Sequence, residues 1–298
     1  MTAATEGTRL ATVGQASGVS RWLRRLPLHA FVIVLMIIWL IPTIGLFVNS
    51  FRTPQDAASS GWWTALFPPE ALSFDNYAYV LNRQGIAPAF LNSLLIAIPS
   101  TVIPVMVAAF AGYAFAWMKF PLRNVLFLAV VGLLVVPLQT TFIPLLQLFR
   151  PLGWNGEFIA VWLAHTGYGL PFAVYLLRNF MGELPREVFE SADIDGAGWA
   201  TKFFRLALPM TIPAIAALAI FQFLFTWNDL LVAFVFIGAS RPDNLPMTVL
   251  VANLVQSTGG GSQYLAAAAF LTMVVPLIVF LFLQRYFVRG LTGGAVKG

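Results

Sequence analysis

The side chains best suited to chemistry lie together in one polar stretch, residues 183–213, between two long apolar runs. The stretch carries five of the twelve acidic residues of the chain, namely Glu183, Glu187, Glu190, Asp193 and Asp195. Charged groups avoid the hydrocarbon core of a membrane, so a polar segment that joins two apolar spans faces water. We therefore expect this stretch to contact a soluble partner.

The first half of the stretch has the features of a short helix that ends in a tight turn. Pro185 suits the first helical turn, where its missing N–H costs nothing. The residues that form a narrow apolar stripe at helical spacing are Leu184, Val188 and Ala192. Asp195-Gly196 is predicted to end the helix, because glycine readily adopts the left-handed conformation that follows a helix.

A second short helix is predicted to begin near Gly198 and to lie along the membrane surface. Its apolar side is formed by Trp199, Phe203 and Leu206, whereas Lys202 and Arg205 lie off that side. Pro209 marks the entry into the next apolar run. The sequence thus predicts a helix, a turn and a second helix in a loop of residues 180–207.

The composition requires that these residues be carried by membrane helices. The 298 residues are 59% hydrophobic and only 10% charged, with a mean hydropathy of +0.82, whereas soluble domains are about a quarter charged. The apolar runs reach about 20 residues and do not alternate, which favours helices over a β-barrel. A net charge of +5 does not indicate nucleic-acid binding, since the basic residues lie at the ends of the apolar runs. Cysteine is absent, which excludes disulfides and thiolate metal sites.

We predict an all-α integral membrane protein with six transmembrane helices. The predicted spans are about 30–50, 91–117, 124–149, 158–178, 208–237 and 265–287. Placing both termini and the second and fourth loops in the cytoplasm puts 13 of the 17 Lys and Arg residues on that side, as the positive-inside rule requires. The predicted units are a flexible cytoplasmic tail (1–28), a six-helix transmembrane domain (29–290) and a cytoplasmic tail (291–298).

The polar loop between the fourth and fifth spans resembles a known family. Membrane subunits of bacterial ABC importers carry Glu-Ala-Ala, three residues, Gly, nine residues, Ile, one residue and Leu-Pro. The positions that match this pattern here are Glu190-Ser191-Ala192, Gly196, Leu206 and Leu208-Pro209. Ser191 replaces the first Ala and Leu206 replaces Ile, and every spacing holds. The chain end, 284–298, resembles the carbohydrate-uptake branch of this family. The stretches 39–51, 60–63 and 227–233 resemble the permeases of the maltose and α-glucoside type.

The resemblance implies a transport subunit of the bacterial cytoplasmic membrane. Its short helix would dock on a dimer of cytoplasmic ATP-binding subunits, with a second homologous permease and an extracytoplasmic sugar-binding protein as further partners. The residues that the resemblance implies in coupling are Glu190, Ser191, Ala192, Asp195, Gly196 and Pro209. ATP and Mg²⁺ would be bound by the ATPase subunit and no cofactor by this chain.

The chain lacks the phosphate-binding lysine of an ATPase. A P-loop needs Gly-Lys followed by Ser or Thr, but Lys119, Lys202 and Lys297 follow Met, Thr and Val. The chain is therefore expected to be a transport subunit and not an enzyme, with ATP hydrolysed elsewhere.

A few polar residues inside the predicted spans are candidates for a substrate path. They are Trp227, Asn228, Asp229, His165, Tyr168 and Gln139. Carboxylates and amides hydrogen-bond to sugar hydroxyls, and tryptophan can stack on a sugar ring. The alternative is a structural role, in which Asp229 and His165 hydrogen-bond between spans.

Two other functional classes remain open at this point. An ion-coupled secondary transporter needs an intramembrane charge, which Asp229 could supply. An intramembrane enzyme needs a catalytic set, and the sequence has no recognisable one. An α-linked glucoside is the expected substrate, with other sugars and glycerol phosphate esters as alternatives.

Overall fold

The computed structural model describes residues 18–66, 72–82, 85–258 and 261–292, and these residues form helices and turns without a strand. The α-helices follow one another as α1 (Gly18–Asn49), α2 (Pro54–Ser59), α3 (Asp75–Asn82), α4 (Ile86–Trp117), α5 (Arg123–Gly132), α6 (Phe142–Phe149), α7 (Phe158–Gly182), α8 (Arg186–Ile194), α9 (Trp199–Lys202), α10 (Leu208–Trp227), α11 (Leu231–Phe236), α12 (Met247–Thr258) and α13 (Ser262–Thr292). The predicted all-α fold is confirmed.

Within the described parts of the chain, five helices are long and apolar enough to cross a membrane. They are Arg25–Asn49, Ile86–Trp117, Phe158–Gly182, Trp199–Trp227 and Ser262–Phe282. A sixth span results if Arg123–Val135 and Leu138–Leu152 are counted together, although they meet at an angle of 99°. The bend has a local cause, because Val136 precedes Pro137 and is held extended with ψ 117°.

The predicted fifth span, 208–237, is wrong as one continuous helix. α10 ends at Trp227, and after a break α11 begins at Leu231. The carboxylate of Asp229 accepts hydrogen bonds from the backbone N–H of Val232 (3.3 Å) and Ala233 (3.0 Å). Asp229 therefore starts a new helix by capping it, which is why the apolar run does not continue as a single helix.

The predicted second surface helix is also wrong as a separate element. From α9 the chain passes through a π-helical turn, Phe203–Ala207, directly into α10. Phe203 and Ala207 are buried, so one side of the turn packs against the rest of the protein, whereas Phe204 and Arg205 on its other side are exposed. The loop that joins the fourth and fifth spans thus contains one free-standing short helix, α8.

The first helix begins earlier than predicted, at Gly18, within the segment assigned to a flexible tail. Residues 1–17 and 293–298 of the two predicted tails lie outside the described residues. The side chains of residues 25–44 are exposed, whereas Gly45 and Val48 are buried. Apolar side chains exposed along such a length require lipid or another membrane protein around them.

The interior is organised around α4 and α7. Leu177 has no exposed surface, and a Cβ on Gly112 would lie 3.0 Å from the backbone nitrogen of Arg178. The absence of a side chain at Gly112 therefore permits the close approach of the two helices. α10 is tied to α4 by the side chain of Gln222, which donates to the carbonyl oxygen of Ser100 at 3.1 Å.

Candidate functional site

The helix α8 ends in the turn that the sequence predicts. Gly196 has φ +74°, and its N–H donates to the carbonyl of Asp193 at 3.0 Å. The N–H of Ala197 donates to the carbonyl of Ala192 at 2.9 Å. These two bonds are those of a Schellman motif, which satisfies the last carbonyls of a helix. Space around Gly196 is open, so the backbone conformation and not crowding requires glycine there.

One aromatic residue fixes α8 to the membrane helices. Phe189 is the buried residue of α8, with 3% of its surface exposed. Its ring stacks on Trp117 at the end of α4, with centroids 3.8 Å apart. The indole N–H of Trp117 donates to the carbonyl of Met181 in α7 at 2.8 Å. α8 is therefore attached to the ends of both central helices.

The predicted apolar stripe of α8 is wrong in part. Leu184 is buried, but Val188 is exposed and Ala192 is half-buried. The helix is rotated so that Phe189 reaches Trp117, and an aromatic pair buries far more surface than Val188 could.

A second attachment joins α8 to the start of α9. The Lys202 ammonium forms an ion pair with the Asp193 carboxylate. The Tyr113 hydroxyl on α4 donates to the carbonyl of Trp199 at 3.3 Å. Both contacts lie beside the Gly196 turn, and together they hold the two sides of the turn against α4.

The other face of α8 is open. Glu190, Ser191, Asp195 and Gly196 are exposed, as is Pro209 at the start of α10, and Ala192 is half-buried. Among the described residues the Glu190 carboxylate forms no ion pair and accepts no hydrogen bond. The Ser191 hydroxyl donates to the Glu187 carbonyl at 2.8 Å. The matched motif therefore presents, on α8, a carboxylate that has no partner among the described residues.

The sequence reasoning missed Ile194 on this face. Its side chain is 88% exposed, beside the Gly196 turn. A large aliphatic side chain exposed on a polar segment is suited to a protein contact. The available signal was that Ile194 lies off the predicted apolar stripe in an otherwise polar run.

The structure brings His165 and Asp229 together among the predicted path residues. Nε2 of His165 lies 3.6 Å from Oδ2 of Asp229. His165 is fully buried, and neither of its ring nitrogens has a hydrogen-bond partner among the described residues. Asp229 also holds α12, because its carbonyl accepts from the Thr248 hydroxyl at 2.7 Å. The pair lies where α7 meets the break between α10 and α11.

The remaining path candidates have different surroundings. Trp227 is buried, and its indole N–H donates to the carbonyl of Thr272 in α13 at 3.0 Å. The hydroxyl of Tyr168 is 2.8 Å from that of Thr141. Asn228 and Gln139 are exposed. In this conformation His165 and Trp227 are inside the protein, whereas Asn228 and Gln139 reach its surface.

Two polar residues of α4, not singled out from sequence, organise the segment beyond α11. The Asn92 amide donates to the carbonyls of Asp243 (2.7 Å) and Leu245 (3.2 Å). The Ser93 hydroxyl accepts from the N–H of Met247 at 2.9 Å. Their sequence signal is an adjacent amide and hydroxyl inside an apolar span. Across the described residues, no cluster of three or more His, Asp or Glu side chains could hold a metal.

Comparison with known proteins gives consistent matches. Residues 105–293 match the family described as "Binding-protein-dependent transport system inner membrane component". The osmoprotective compounds uptake permease protein GgtD of Synechocystis sp. is 51% identical over 92% of this chain and 93% of its own length. The alpha-glucoside transport system permease protein AglG of Rhizobium meliloti is 54% identical over 84% of this chain and 68% of its own length. A crystal structure of a bacterial ABC transporter that imports alginate has the same fold, with a TM-score of 0.70 at 18% identity, covering 91% of this chain and 99% of that one.

Proposed function

The chain belongs to the family of binding-protein-dependent transport system inner membrane components, and from that premise we propose how it couples ATP hydrolysis to sugar uptake. As a permease of an ABC importer, it contributes helices to the membrane passage. This membership decides against an ion-coupled secondary transporter, and it supports a transport subunit rather than an intramembrane enzyme. ATP and Mg²⁺ are held by a separate subunit, a proposal that the missing Gly-Lys pair supports.

The observation that carries the proposal is the two-sided character of α8. One side is fixed to α4 and α7 through Phe189 and Trp117, whereas the other presents Glu190 and Ile194 to a partner. A rigid helix attached in this way moves together with the central helices when its outer side is pushed. α8 docks in a cleft of the ATPase subunit, and closure of the two ATPase subunits shifts α4 and α7.

The motif residues have separate roles in this coupling. Glu190 offers a carboxylate to a basic group of the ATPase subunit, and Gly196 allows the turn that keeps α8 short. Ser191 and Ala192 have small side chains, which leaves room for the partner to approach Glu190. Asp195 precedes the turn. Pro209 opens the fifth span.

The proposed orientation places α8 and both termini in the cytoplasm. The supporting observation is that 13 of the 17 Lys and Arg residues then lie on that side. On the opposite side an extracytoplasmic binding protein delivers the sugar, and a second homologous permease completes the passage.

An α-glucoside or a related small oligosaccharide is the proposed substrate. The Rhizobium meliloti relative, which is named for alpha-glucoside transport, supports this class. Asn228, Gln139 and Tyr168 are the side chains proposed to touch the sugar, because they reach or approach the surface. His165, Asp229 and Trp227 support that surface from inside.

Reconstitution in proteoliposomes tests the proposal. The chain is combined with its ATPase subunit, its partner permease and its binding protein, and uptake of a labelled α-glucoside is measured. We expect uptake to need ATP and the binding protein and to persist when ion gradients are collapsed. Uptake by this chain alone, driven by an ion gradient without ATP, would contradict the proposal.

A further inference from the structure

Two clefts meet at the turn between α4 and α5. The first, of about 370 Å³, is lined by Lys119, Phe120, Leu122, Arg123, Asn124 and Val125. The second, of about 550 Å³, opens along one side of α8, is bordered there by the exposed Glu190, and shares Lys119 and Arg123 with the first. The two cations therefore lie at the junction of a membrane-side cleft and the coupling helix.

The positive charge of the first cleft is not neutralised by an acidic residue of its lining. Its lining contains no acidic residue. Within the described part of the chain neither Lys119 nor Arg123 forms an ion pair, and Arg123 is oriented by a 3.1 Å hydrogen bond from Nη1 to the carbonyl of Met118. One guanidinium held in place and one exposed ammonium suit an anion with several oxygens, such as a phosphate diester.

The same cleft continues into an apolar surface. Val125 and Leu126 lie in the first turn of α5 and Leu122 directly precedes it, and 62%, 48% and 68% of their respective surfaces are exposed. α5 belongs to the bent pair of helices that forms a candidate span, and its apolar side begins at the two cations. The site thus combines a basic end with an apolar wall.

We propose that Lys119 and Arg123 bind the phosphate of an anionic phospholipid, whose acyl chains lie along Leu122, Val125 and Leu126. Basic pockets at the cytoplasmic ends of membrane helices attract anionic headgroups, and the apolar wall distinguishes a lipid from a free phosphate. The second cleft is less suited to an anion, because Glu190 and Asp193 contribute to it and Asp193 already pairs with Lys202. The proposal rests on the cytoplasmic orientation proposed above and not on coupling to ATP.

Native mass spectrometry of the full-length chain tests the proposal. The chain is purified in micelles of zwitterionic phosphatidylcholine and titrated with phosphatidylglycerol. We expect Lys119→Gln and Arg123→Gln each to weaken phosphatidylglycerol binding about fivefold, and the double variant about 25-fold, from the usual contribution of a basic residue near an anionic surface. Arg123→Lys keeps the charge but not the planar guanidinium, so it should bind more weakly than the wild type and more tightly than Arg123→Gln, which separates loss of charge from loss of folding.

Arg205→Gln is the matched control, since Arg205 is exposed, lies near the same membrane end and lines neither cleft. It should leave binding unchanged. Equal binding by the double variant and the wild type, or an equal loss in Arg205→Gln, would overturn the proposal. Competition by glycerol phosphate at the concentration of the lipid would also overturn it, because the acyl chains would then be irrelevant. So would weaker binding of the ATPase subunit by the double variant with unchanged lipid binding.

Discussion

The rings of Trp117 and Phe189 stack with centroids 3.8 Å apart and 17° between their planes. Trp117 ends α4, a helix of 32 residues, and Phe189 is the buried residue of α8. At 1.5 Å per residue α4 is about 48 Å long, and its other end holds the 243–247 segment through Asn92 and Ser93. A displacement of α8 is thereby connected, through one helix, to the opposite side of the protein.

Removing the ring of Phe189 should uncouple α8 from the far end of α4. We expect Phe189→Ala to lower sugar-stimulated ATP hydrolysis at least fivefold in the reconstituted transporter, while the ATPase subunit still binds. The reason is that aromatic pairs contribute about 0.5–1.5 kcal/mol beyond burial, and α8 would lose its attachment but not its outer face. Val188→Ala, on the exposed side of α8, is the control and should be unaffected. Normal stimulation in Phe189→Ala would exclude the stack from coupling.

The left-handed turn at Gly196 should tolerate asparagine better than valine. A side chain in this conformation costs about 1–2 kcal/mol, and asparagine adopts it more readily than β-branched residues. We expect Gly196→Val to weaken binding of the ATPase subunit about tenfold, and Gly196→Asn much less, as measured by titration of the purified subunits. Gly198→Val is the comparison, because Gly198 has φ −68° and open space around it. Equal losses at both glycines would show that the conformation of Gly196 is not the cause.

Substitution of Asp229 should mainly lower the stability of the folded protein. Its carboxylate caps α11 and lies beside the buried His165. We expect Asp229→Ala to lower the free energy of unfolding by about 1–2 kcal/mol, and Asp229→Asn by less, since the amide oxygen still accepts one N–H. Thermal unfolding of the permease in detergent measures this. Unchanged stability in Asp229→Ala would remove the capping role.

Substitution of Asn228, in contrast, should change the kinetics of transport. Its side chain is exposed next to the break, and its amide donates only to the Leu224 carbonyl of its own helix turn among the described residues. Asn228→Ala should raise the KM for α-glucoside uptake about fivefold without lowering the thermal stability. An unchanged KM would take Asn228 out of the sugar path.

The sequence predicted the elements whose causes are local. Hydropathy located the spans because a membrane helix needs about 20 apolar residues in a row, and Asp195-Gly196 marked the end of α8 because its cap is set by one backbone conformation. The break after Trp227 was not predicted, because a single Asp in an apolar run is equally consistent with a buried contact between spans and with the cap of a new helix. Only the positions of Val232 and Ala233 decide between them.

Contacts between residues that lie far apart in the chain could not be predicted from the sequence. Periodicity assigned Val188 to the apolar side of α8, whereas the partner that selects the buried side, Trp117, is far away in the chain. Likewise His165 could be named as an intramembrane polar residue, but its position beside Asp229 follows from the packing of α7 against the α10–α11 break.

The most direct test of coupling through α8 is sugar-stimulated ATP hydrolysis by the complete transporter with Glu190→Arg or Gly196→Asp in this chain. We expect each variant to lower the stimulated rate at least tenfold, because the first reverses the charge offered to the ATPase subunit and the second adds a negative charge next to Asp195, at the edge of the surface that contacts this subunit. Glu187→Arg, a matched charge reversal on the same helix, should change the rate less than twofold. A stimulated rate that stays at the wild-type level in both Glu190→Arg and Gly196→Asp would contradict the assignment of α8 as the coupling helix.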